Sequence, residues 1–131
     1  MPELTKSDIL GRKDVKIERV DVPEWGRHDF VHVRSMMADE RDAFEADYVE
    51  VKGTKKRLDN FRARFCVRVI CDSTGTLAFE EADAAALGKK NAAAVDRIFD
   101  VGSRLAGMSE DDVKELEKNS EPGQSGASTS G

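Results

Sequence analysis

Residues 75–119 read GTLAFEEADAAALGKKNAAAVDRIFDVGSRLAGMSEDDVKELEKN. A turn opens this segment, Leu77 and Phe79 then alternate as in a short strand, and three runs with helical spacing follow. No nucleophile, general base or set of metal ligands converges within it. The pattern predicts short amphipathic helices that each bury a modest face, and it favours a protein that acts by binding.

The first two of these helices are predicted from their composition and their periodicity. Residues 80–88 combine early acidic residues, alanines and a closing Gly88, which suits the helix dipole and the C-cap. Residues 91–105 form the next helix, and Gly102 on its apolar face would permit close approach of another backbone. The predicted buried side of this helix comprises Val95, Ile98, Phe99, Gly102, Leu105 and Ala106.

The third helix is predicted to open at a capping box formed by Ser109 and Asp112. Val113 and Leu116 supply its apolar seam. Residues 120–131 are rich in Gly and Ser and contain no side chain whose burial could offset the entropy of ordering, so a disordered tail is expected there.

The N-terminal part predicts a β-hairpin over residues 15–33. Val15 and Ile17 alternate with charged neighbours, whereas Val20 and Val22 alternate in the opposite phase. A one-residue change of phase moves side chains to the other face of a strand, unless a bulge absorbs it. A bulge at residues 18–19 would therefore return Val20 and Val22 to the face of Ile17.

The middle of the chain predicts two further helices. The first runs over residues 39–53, with Asp39 and Asp42 able to cap its first turn. The second carries an apolar stripe and is expected to be central to the core, and Leu77 with Phe79 would add a third strand. The stripe of the first helix comprises Ala43, Phe44, Tyr48 and Val51; that of the second comprises Leu58, Phe61, Phe65 and Val69, with Val67, Ile70 and Cys71 on its other sides.

Length and charge limit the classes of function. A chain of 131 residues has room for one modest core, and its net charge of −5 gives no general attraction to nucleic acid or to anionic membranes. The charge is unevenly placed, because residues 52–68 hold seven basic residues and one acidic residue. We call residues 52–68 the basic belt.

The two cysteines and the N-terminal residues indicate the cellular compartment in which the protein is expected to act. Cys66 and Cys71 lie in an apolar run, where free thiols usually serve as small buried hydrophobes, so reduced structural cysteines in a reducing cytoplasm are predicted. Residues 1–14 are polar apart from Ile9 and Leu10, lack the apolar core of a signal peptide, and predict a loosely held arm or a single helical turn. No segment has the length and hydrophobicity needed to cross a bilayer.

The sequence contains no residue pattern that favours a catalytic site or a metal site. His28 and His32 flank a predicted strand and have no third ligand nearby, so they are interpreted as polar residues on the exposed side of the hairpin. No cofactor is predicted, and no enzyme class is favoured, because a nucleophile would need a base and an orienting partner. Carboxylate pairs at helix starts have a structural reason to be there.

Two surfaces are candidates for binding. The basic belt, with Phe61 and Phe65 interleaved, resembles grooves that grip single-stranded nucleic acid, although the core would claim both aromatic rings first. Trp25, Met36 and Met37 are apolar residues near the ends of the hairpin; they either cap the core or form an adaptable apolar surface. The partner-binding residues predicted are Trp25, Met36, Met37, Tyr48, Lys52, Lys55, Lys56 and Arg57.

A colinear set of short motifs resembles the tail assembly chaperones of long-tailed bacteriophages, over roughly residues 15–119. No single motif is specific; the order of the set carries the resemblance. The chain departs from the family pattern at Met37, where a Ser or Thr usually caps the first helix, which leaves Asp39 or Ser35 to do so. The motifs are VPEWG at 22–26, ERDAFE at 40–45, RLDNFRAR at 57–64, Phe79, ALG at 86–88, DRIF at 96–99, LAGMS at 105–109 and ELEKN at 115–119.

The resemblance implies a non-enzymatic protein of the infected bacterial cytoplasm that is absent from the mature virion. Its expected partner is the tape-measure protein, with tail-tube subunits and self-association as further contacts and no membrane partner. Many such proteins have a longer, frameshifted form, which would extend from the tail at residues 120–131. The alternative function is a small nucleic-acid-binding regulator that uses the basic belt.

The expected architecture is a single α+β domain over residues 15–119. It consists of an N-terminal β-hairpin, with room for a third short strand, packed with about four short helices. A flexible arm at residues 1–14 would precede it, and the disordered tail at residues 120–131 would follow.

Overall fold

A computed structural model describes residues 3–49 and 60–120 of the chain. These residues form an α+β fold in which three antiparallel strands pack against helices, as predicted. In chain order the elements are α1 (Lys6–Gly11), β1 (Ile17–Asp21), β2 (Phe30–Arg34), α2 (Ala38–Val49), α3 (Phe61–Cys66), β3 (Ile70–Cys71), a 3-10 turn (Glu81–Asp83), α4 (Ala84–Leu87), α5 (Ala92–Leu105) and α6 (Glu110–Ser120).

The sheet has the strand order β1-β2-β3 and one continuous register between β1 and β2. Ile17 pairs with Arg34 at one end of this ladder and Asp21 pairs with Phe30 at the other. The change of phase between Ile17 and Val20 left two possibilities, opposite faces or a bulge at residues 18–19, and the structure has opposite faces, because the ladder contains no extra residue. Val20 therefore faces the core, and Ile17 lies half-buried on the opposite face of the sheet.

Four phenylalanines form the centre of the core. Phe44 of α2, Phe61 and Phe65 of α3 and Phe99 of α5 have ring centroids 5.0–5.7 Å apart in four contacts. Each of the four is buried, and Phe65 is 0% exposed. Edge-to-face packing of this kind adds to the free energy gained from burial alone. The stripe predicted from Phe61 and Phe65 is thus confirmed as central to the core.

The predicted helix through Val69, Ile70 and Cys71 is wrong. Helix α3 ends at Cys66, and Ile70 with Cys71 forms β3, paired with Val33 and His32 of β2. An apolar run of this length fits a buried strand as well as a buried helix, so periodicity could not separate them. The third strand expected at Leu77 and Phe79 is reduced to one isolated bridge between Leu77 and Cys71.

The C-terminal helices agree closely with the sequence prediction. Helix α5 begins after Asn91, whose side chain accepts a hydrogen bond from the Ala94 N–H at 3.1 Å. Ser109 and Asp112 exchange the two capping hydrogen bonds that open α6, and Leu116 is buried. Both cysteines are free and buried, and burial raises the pKa of the Cys66 thiol, which keeps it protonated.

The remaining predictions concern helix α2, residues outside the described ranges, and the N-terminal arm. Helix α2 buries Phe44, but Ala43 is exposed, so its place on the buried stripe is wrong. The predicted end of that helix at residue 53, the four basic residues of 52–57 and the tail at 121–131 lie outside the described residues. Helix α1 lies in the predicted N-terminal arm and buries none of its side chains.

Candidate functional site

The predicted apolar pair Met36 and Met37 lies at the open end of the hairpin, where the chain leaves β2 and enters α2. Met36 is 7% exposed and belongs to the core, whereas Met37 is half-buried. The prediction that Met36 caps one end of the core is therefore confirmed. Met37 keeps a part of its side chain at the surface.

Helix α2 is capped in a way that the sequence prediction missed. Met37 occupies the N-cap position, and Oε1 of Glu40 accepts a hydrogen bond from the Met37 N–H at 2.9 Å. Ser35 is occupied elsewhere, since its hydroxyl accepts a hydrogen bond from the Lys16 N–H at 3.0 Å. The predicted caps at Asp39 and Ser35 are therefore wrong. Glu40 supplies one half of a capping box, and Met37 cannot supply the other.

Two shallow grooves meet at this end of the molecule. One has a volume of about 380 Å³ and is lined by Met36, Met37, Leu105 and several polar residues; the other has about 420 Å³ and is lined by Met36, Ala106 and residues of α2. We call this combined area the Met36 surface. Its members are Asp14, Lys16, Ser35, Met36, Met37, Ala38, Arg41, Asp42, Glu45, Arg104, Leu105 and Ala106.

Hydrogen bonds and ion pairs hold the helices on which the Met36 surface is built. Arg41 of α2 donates to the Ala106 carbonyl at 3.0 Å and pairs with Glu45 at 3.0 Å, and it lies 3.8 Å from Asp112 of α6. Arg104 of α5 pairs with Glu18 of β1 at 3.0 Å. The surface is thus formed by the ends of several elements that are tied together, and its lining combines apolar side chains with charged ones.

Trp25 lies away from this surface, in the loop between β1 and β2 at the other end of the hairpin. Its side chain packs partly against the core, and its indole N–H is buried without a hydrogen-bond partner in the described part of the chain. The structure therefore does not bring Trp25 together with Met36 and Met37. Tyr48, another predicted partner-binding residue, lies in α2.

The loop that carries Trp25 is fastened to α5 by one ion pair. Arg97 donates to both carboxylate oxygens of Glu24, at 2.7 and 2.6 Å, and to the carbonyl of Asp21 at 3.2 Å. A bidentate pair of this kind fixes geometry as well as charge. The hydrogen bonds from Arg97 hold the pKa of the Glu24 carboxyl at about 2, below its ordinary 4.5.

Stability should therefore respond to acid through Glu24. A carboxyl whose pKa is lower in the folded than in the unfolded chain stabilises the fold above its ordinary pKa, and this contribution is lost as the pH falls from about 4.5 to about 2. We expect Glu24→Gln to lower the urea midpoint at pH 6, with the difference from the wild type shrinking towards pH 2. Glu3→Gln, at an exposed residue, is the matched control and should change the urea midpoint at pH 6 only slightly. A Glu24→Gln difference that does not change with pH would contradict this assignment.

The described arginines of the basic belt are engaged within the protein. Arg62 pairs with Asp96 at 3.2 Å and with Glu117 at 2.7 Å, and Arg68 pairs with Glu81 at 3.1 Å. Phe61 and Phe65, the aromatic rings of the nucleic-acid hypothesis, are buried in the core, as the sequence indicated. In the described part of the belt, the aromatic platforms that single-strand recognition needs are therefore unavailable.

The two histidines lie in different surroundings. His28 has a φ of 71° in the hairpin loop, whereas His32 lies in β2 beside Phe30, with ring centroids 5.4 Å apart. Within residues 3–49 and 60–120, no group of three His, Cys, Asp or Glu side chains could hold a metal ion. No helix in the same residues is long and apolar enough to cross a membrane.

Comparison with known proteins gives one clear result. The family model described as phage tail assembly chaperone matches residues 11–119. The chain belongs to this family. No curated protein and no solved structure gives a match.

Membership of the tail assembly chaperone family confirms the resemblance read from the colinear motifs. A phage tail assembly chaperone acts in the host during virion assembly, and its partners are tail proteins. The match begins at residue 11, which is the last residue of α1. Most of α1 therefore precedes the matched region.

Sequence reasoning missed several side chains that the structure places at the candidate site. Leu105 and Ala106 were predicted as buried core residues, yet both are half-buried and line the Met36 surface. Lys16 was not singled out at all. Only the fold brings the ends of β1, α2 and α5 together, so no local pattern in the sequence could have revealed this grouping.

Proposed function

We propose that this tail assembly chaperone binds amphipathic helices of the tape-measure protein and shields their apolar faces until tail-tube subunits assemble around them. The contact would be non-covalent, made in the host cytoplasm and released before the virion is complete. The Met36 surface is the proposed binding site. Its shallow form and its lining of apolar and charged side chains suit a helix whose apolar stripe is bordered by polar residues.

The observation that carries this proposal is the methionine at the N-cap of α2. Ser, Thr, Asp and Asn are preferred at this position, because their side chains accept a hydrogen bond from the backbone N–H groups of the first turn. The Met37 side chain cannot accept such a hydrogen bond, although Glu40 already accepts the reciprocal one from the Met37 N–H. A flexible thioether in the lining of a groove instead provides an adaptable contact for varied apolar partners.

Charge would add a salt-sensitive attraction. Lys16 is exposed at the rim of the Met36 surface. We propose that Lys52, Lys55, Lys56 and Arg57 contribute in the same way to acidic stretches of the client. Trp25 and Tyr48 would form separate contacts with the client, with the tail-tube protein or with further copies of the chaperone. Affinity at each site would be modest, and many copies would act together along one long client.

The direct experiment is co-expression of this chain with its cognate tape-measure protein. We expect the soluble fraction of the tape-measure protein to rise several-fold and the two proteins to copurify at low salt, less so at high salt because the rim is charged. Equal solubility of the tape-measure protein with and without the chaperone would refute the proposal.

Met37→Ser separates folding from binding within the same experiment. Serine should complete the capping box with Glu40 and raise the free energy of unfolding by about 0.5–2 kcal/mol. It should also weaken client binding, because the apolar side chain is lost. Urea unfolding and copurification measure the two effects. Ala38→Ser, one residue further along the same groove lining, is the matched control and should not stabilise the fold. A more stable Met37→Ser variant that retains full client binding would exclude Met37 from the site.

A further inference from the structure

We propose that the N-terminal segment, residues 4–11, is a second contact element that packs against the flank of a client helix seated on the Met36 surface. This inference rests on the proposed function, and it concerns a segment of which only Gly11 falls within the family match. The partner is the same amphipathic helix, which would contact α1 along one side while it lies in the groove.

The first observation is the distribution of exposed apolar side chains. In the described part of the chain, five large apolar side chains are exposed, and four of them, Leu4, Ile9, Leu10 and Val15, precede β1. Leu4, Ile9 and Leu10 are 47%, 57% and 74% exposed. Helix α1 buries no side chain of its own. Apolar surface this concentrated in a soluble protein marks a site of interaction.

The second observation is that the sequence provides this short helix with a complete N-terminal cap. Thr5 and Asp8 form a complete capping box, with hydrogen bonds of 3.2 and 3.0 Å. Leu4 and Ile9 occupy the two positions of a hydrophobic staple, which fixes the direction in which the chain enters a helix. A helix of six residues is too short to be stable in water on its own. Its capping is most useful if the helix forms against a partner.

The third observation is the connection between α1 and the Met36 surface. Asp14 lines the surface, and Leu10 lies four residues earlier, so an extended connection could span about 13 Å. That distance exceeds the roughly 10 Å separation of two packed helices but falls short of the roughly 20 Å that a position above the client would need, so α1 could pack beside a helix seated in the groove. The apolar side chains of α1 would then meet the apolar stripe that the groove leaves uncovered.

The charge of the segment that joins α1 to β1 favours a client helix, rather than a second copy of this chain, as the partner of α1. Residues 12–16, which join α1 to β1, carry the basic residues Arg12, Lys13 and Lys16 and the single acidic residue Asp14, and all four are exposed. A client helix that fits here would place acidic residues beside its apolar stripe. The small apolar area of α1 also falls well short of what a stable dimer needs, whereas it suffices to supplement a contact already formed in the groove.

The test compares the full chain with the double variant Ile9→Ala and Leu10→Ala. Alanine keeps the helix propensity of α1 and removes only apolar surface. Phe30→Ala is the matched control, because Phe30 is 44% exposed but lies at the opposite end of the hairpin. Each protein is titrated into a labelled soluble segment of the cognate tape-measure protein, and thermal unfolding confirms that each is folded.

We expect the double variant to bind about tenfold to a hundredfold more weakly than the wild type, and Phe30→Ala to bind within about twofold. Wild-type affinity in the double variant would overturn the inference and leave the proposed function intact. Failure of the wild type itself to bind would overturn both. A wild-type dimer in sedimentation that the double variant loses, with client affinity unchanged, would assign α1 to self-association and likewise overturn the inference.

Discussion

Replacing Phe65 with alanine should lower the free energy of unfolding by about 3–5 kcal/mol. The side chain is 0% exposed and makes edge-to-face contacts with Phe44 at 5.4 Å and Phe99 at 5.0 Å. Its removal leaves a cavity between α2, α3 and α5 that rigid neighbours cannot fill. Because a domain of this size is stabilised by only about 5–15 kcal/mol, the variant would lose a large share of its stability.

Urea unfolding followed by circular dichroism measures this loss, and Phe30→Ala again supplies the control. Phe30 is 44% exposed on the outer face of the sheet, where Arg19 lies 3.9 Å from the centroid of its ring. Its removal should cost about 1 kcal/mol or less, since little packing is lost. Similar losses for the two variants would mean that the aromatic cluster is not the centre of stability.

The same cluster shows what the sequence could predict about the fold. Phe61 and Phe65 stand four residues apart, and Ile98 and Phe99 recur with Val95 and Gly102 at helical spacing, so their burial follows from periodicity. The bounds of α5 follow from the cap at Asn91, which is a local signal. Elements with both a cap and a long apolar stripe were therefore predicted closely.

The sequence could not separate helix from strand where every neighbour is apolar. Val69, Ile70 and Cys71 are all buried, so no alternation of polar and apolar residues marks the change from α3 to β3. That change depends on a distant partner: the Arg34 N–H donates to the Val69 carbonyl at 2.9 Å, and Val33 pairs with Ile70. Pairing with β2, which is distant in the sequence, therefore determines the structure of these residues, and their local helical spacing does not.

The candidate site was predicted only in part, for the same reason. Met36 and Met37 were chosen because adaptable methionines are common at surfaces that accept varied apolar partners, and the structure places both on one surface. Trp25 was grouped with them although the length of the hairpin separates them. The charged part of the lining depends on contacts such as Arg41 with the Ala106 carbonyl, which are 65 residues apart in the chain and leave no trace in a local motif.

The two ends of the hairpin also differ in how they are held. At the loop end, Arg97 fastens the chain to α5 through Glu24 and the Asp21 carbonyl. At the open end, two shallow grooves are lined by apolar and charged residues, and helix α1, which precedes β1, buries none of its side chains. Substitutions at the open end should therefore affect binding more than stability, and substitutions in the aromatic core should do the reverse.

Gly102→Ala should destabilise the protein, although alanine is the better helix former. A Cβ atom at this position would lie 2.8 Å from Cε1 of Phe65, which is closer than packed atoms allow, and 3.1 Å from Cγ2 of Val69, which is a tight contact. Overpacking of this kind costs about 1–3 kcal/mol, and the gain in helix propensity offsets at most about 1 kcal/mol of it. Gly11→Ala is the control, because nothing lies within 4 Å of a Cβ built at Gly11.

A double-mutant cycle identifies the physical cause of the Gly102→Ala effect. Phe65→Leu removes the ring atom that the new Cβ would strike, so Gly102→Ala should cost less in the Phe65→Leu background than in the wild type. Urea unfolding of the four proteins gives the coupling free energy, which we expect to be about 0.5–3 kcal/mol for residues in direct contact. An equal cost in both backgrounds would show that the close approach of α5 to α3 is not what requires glycine, and Val69 would then be the remaining neighbour that does.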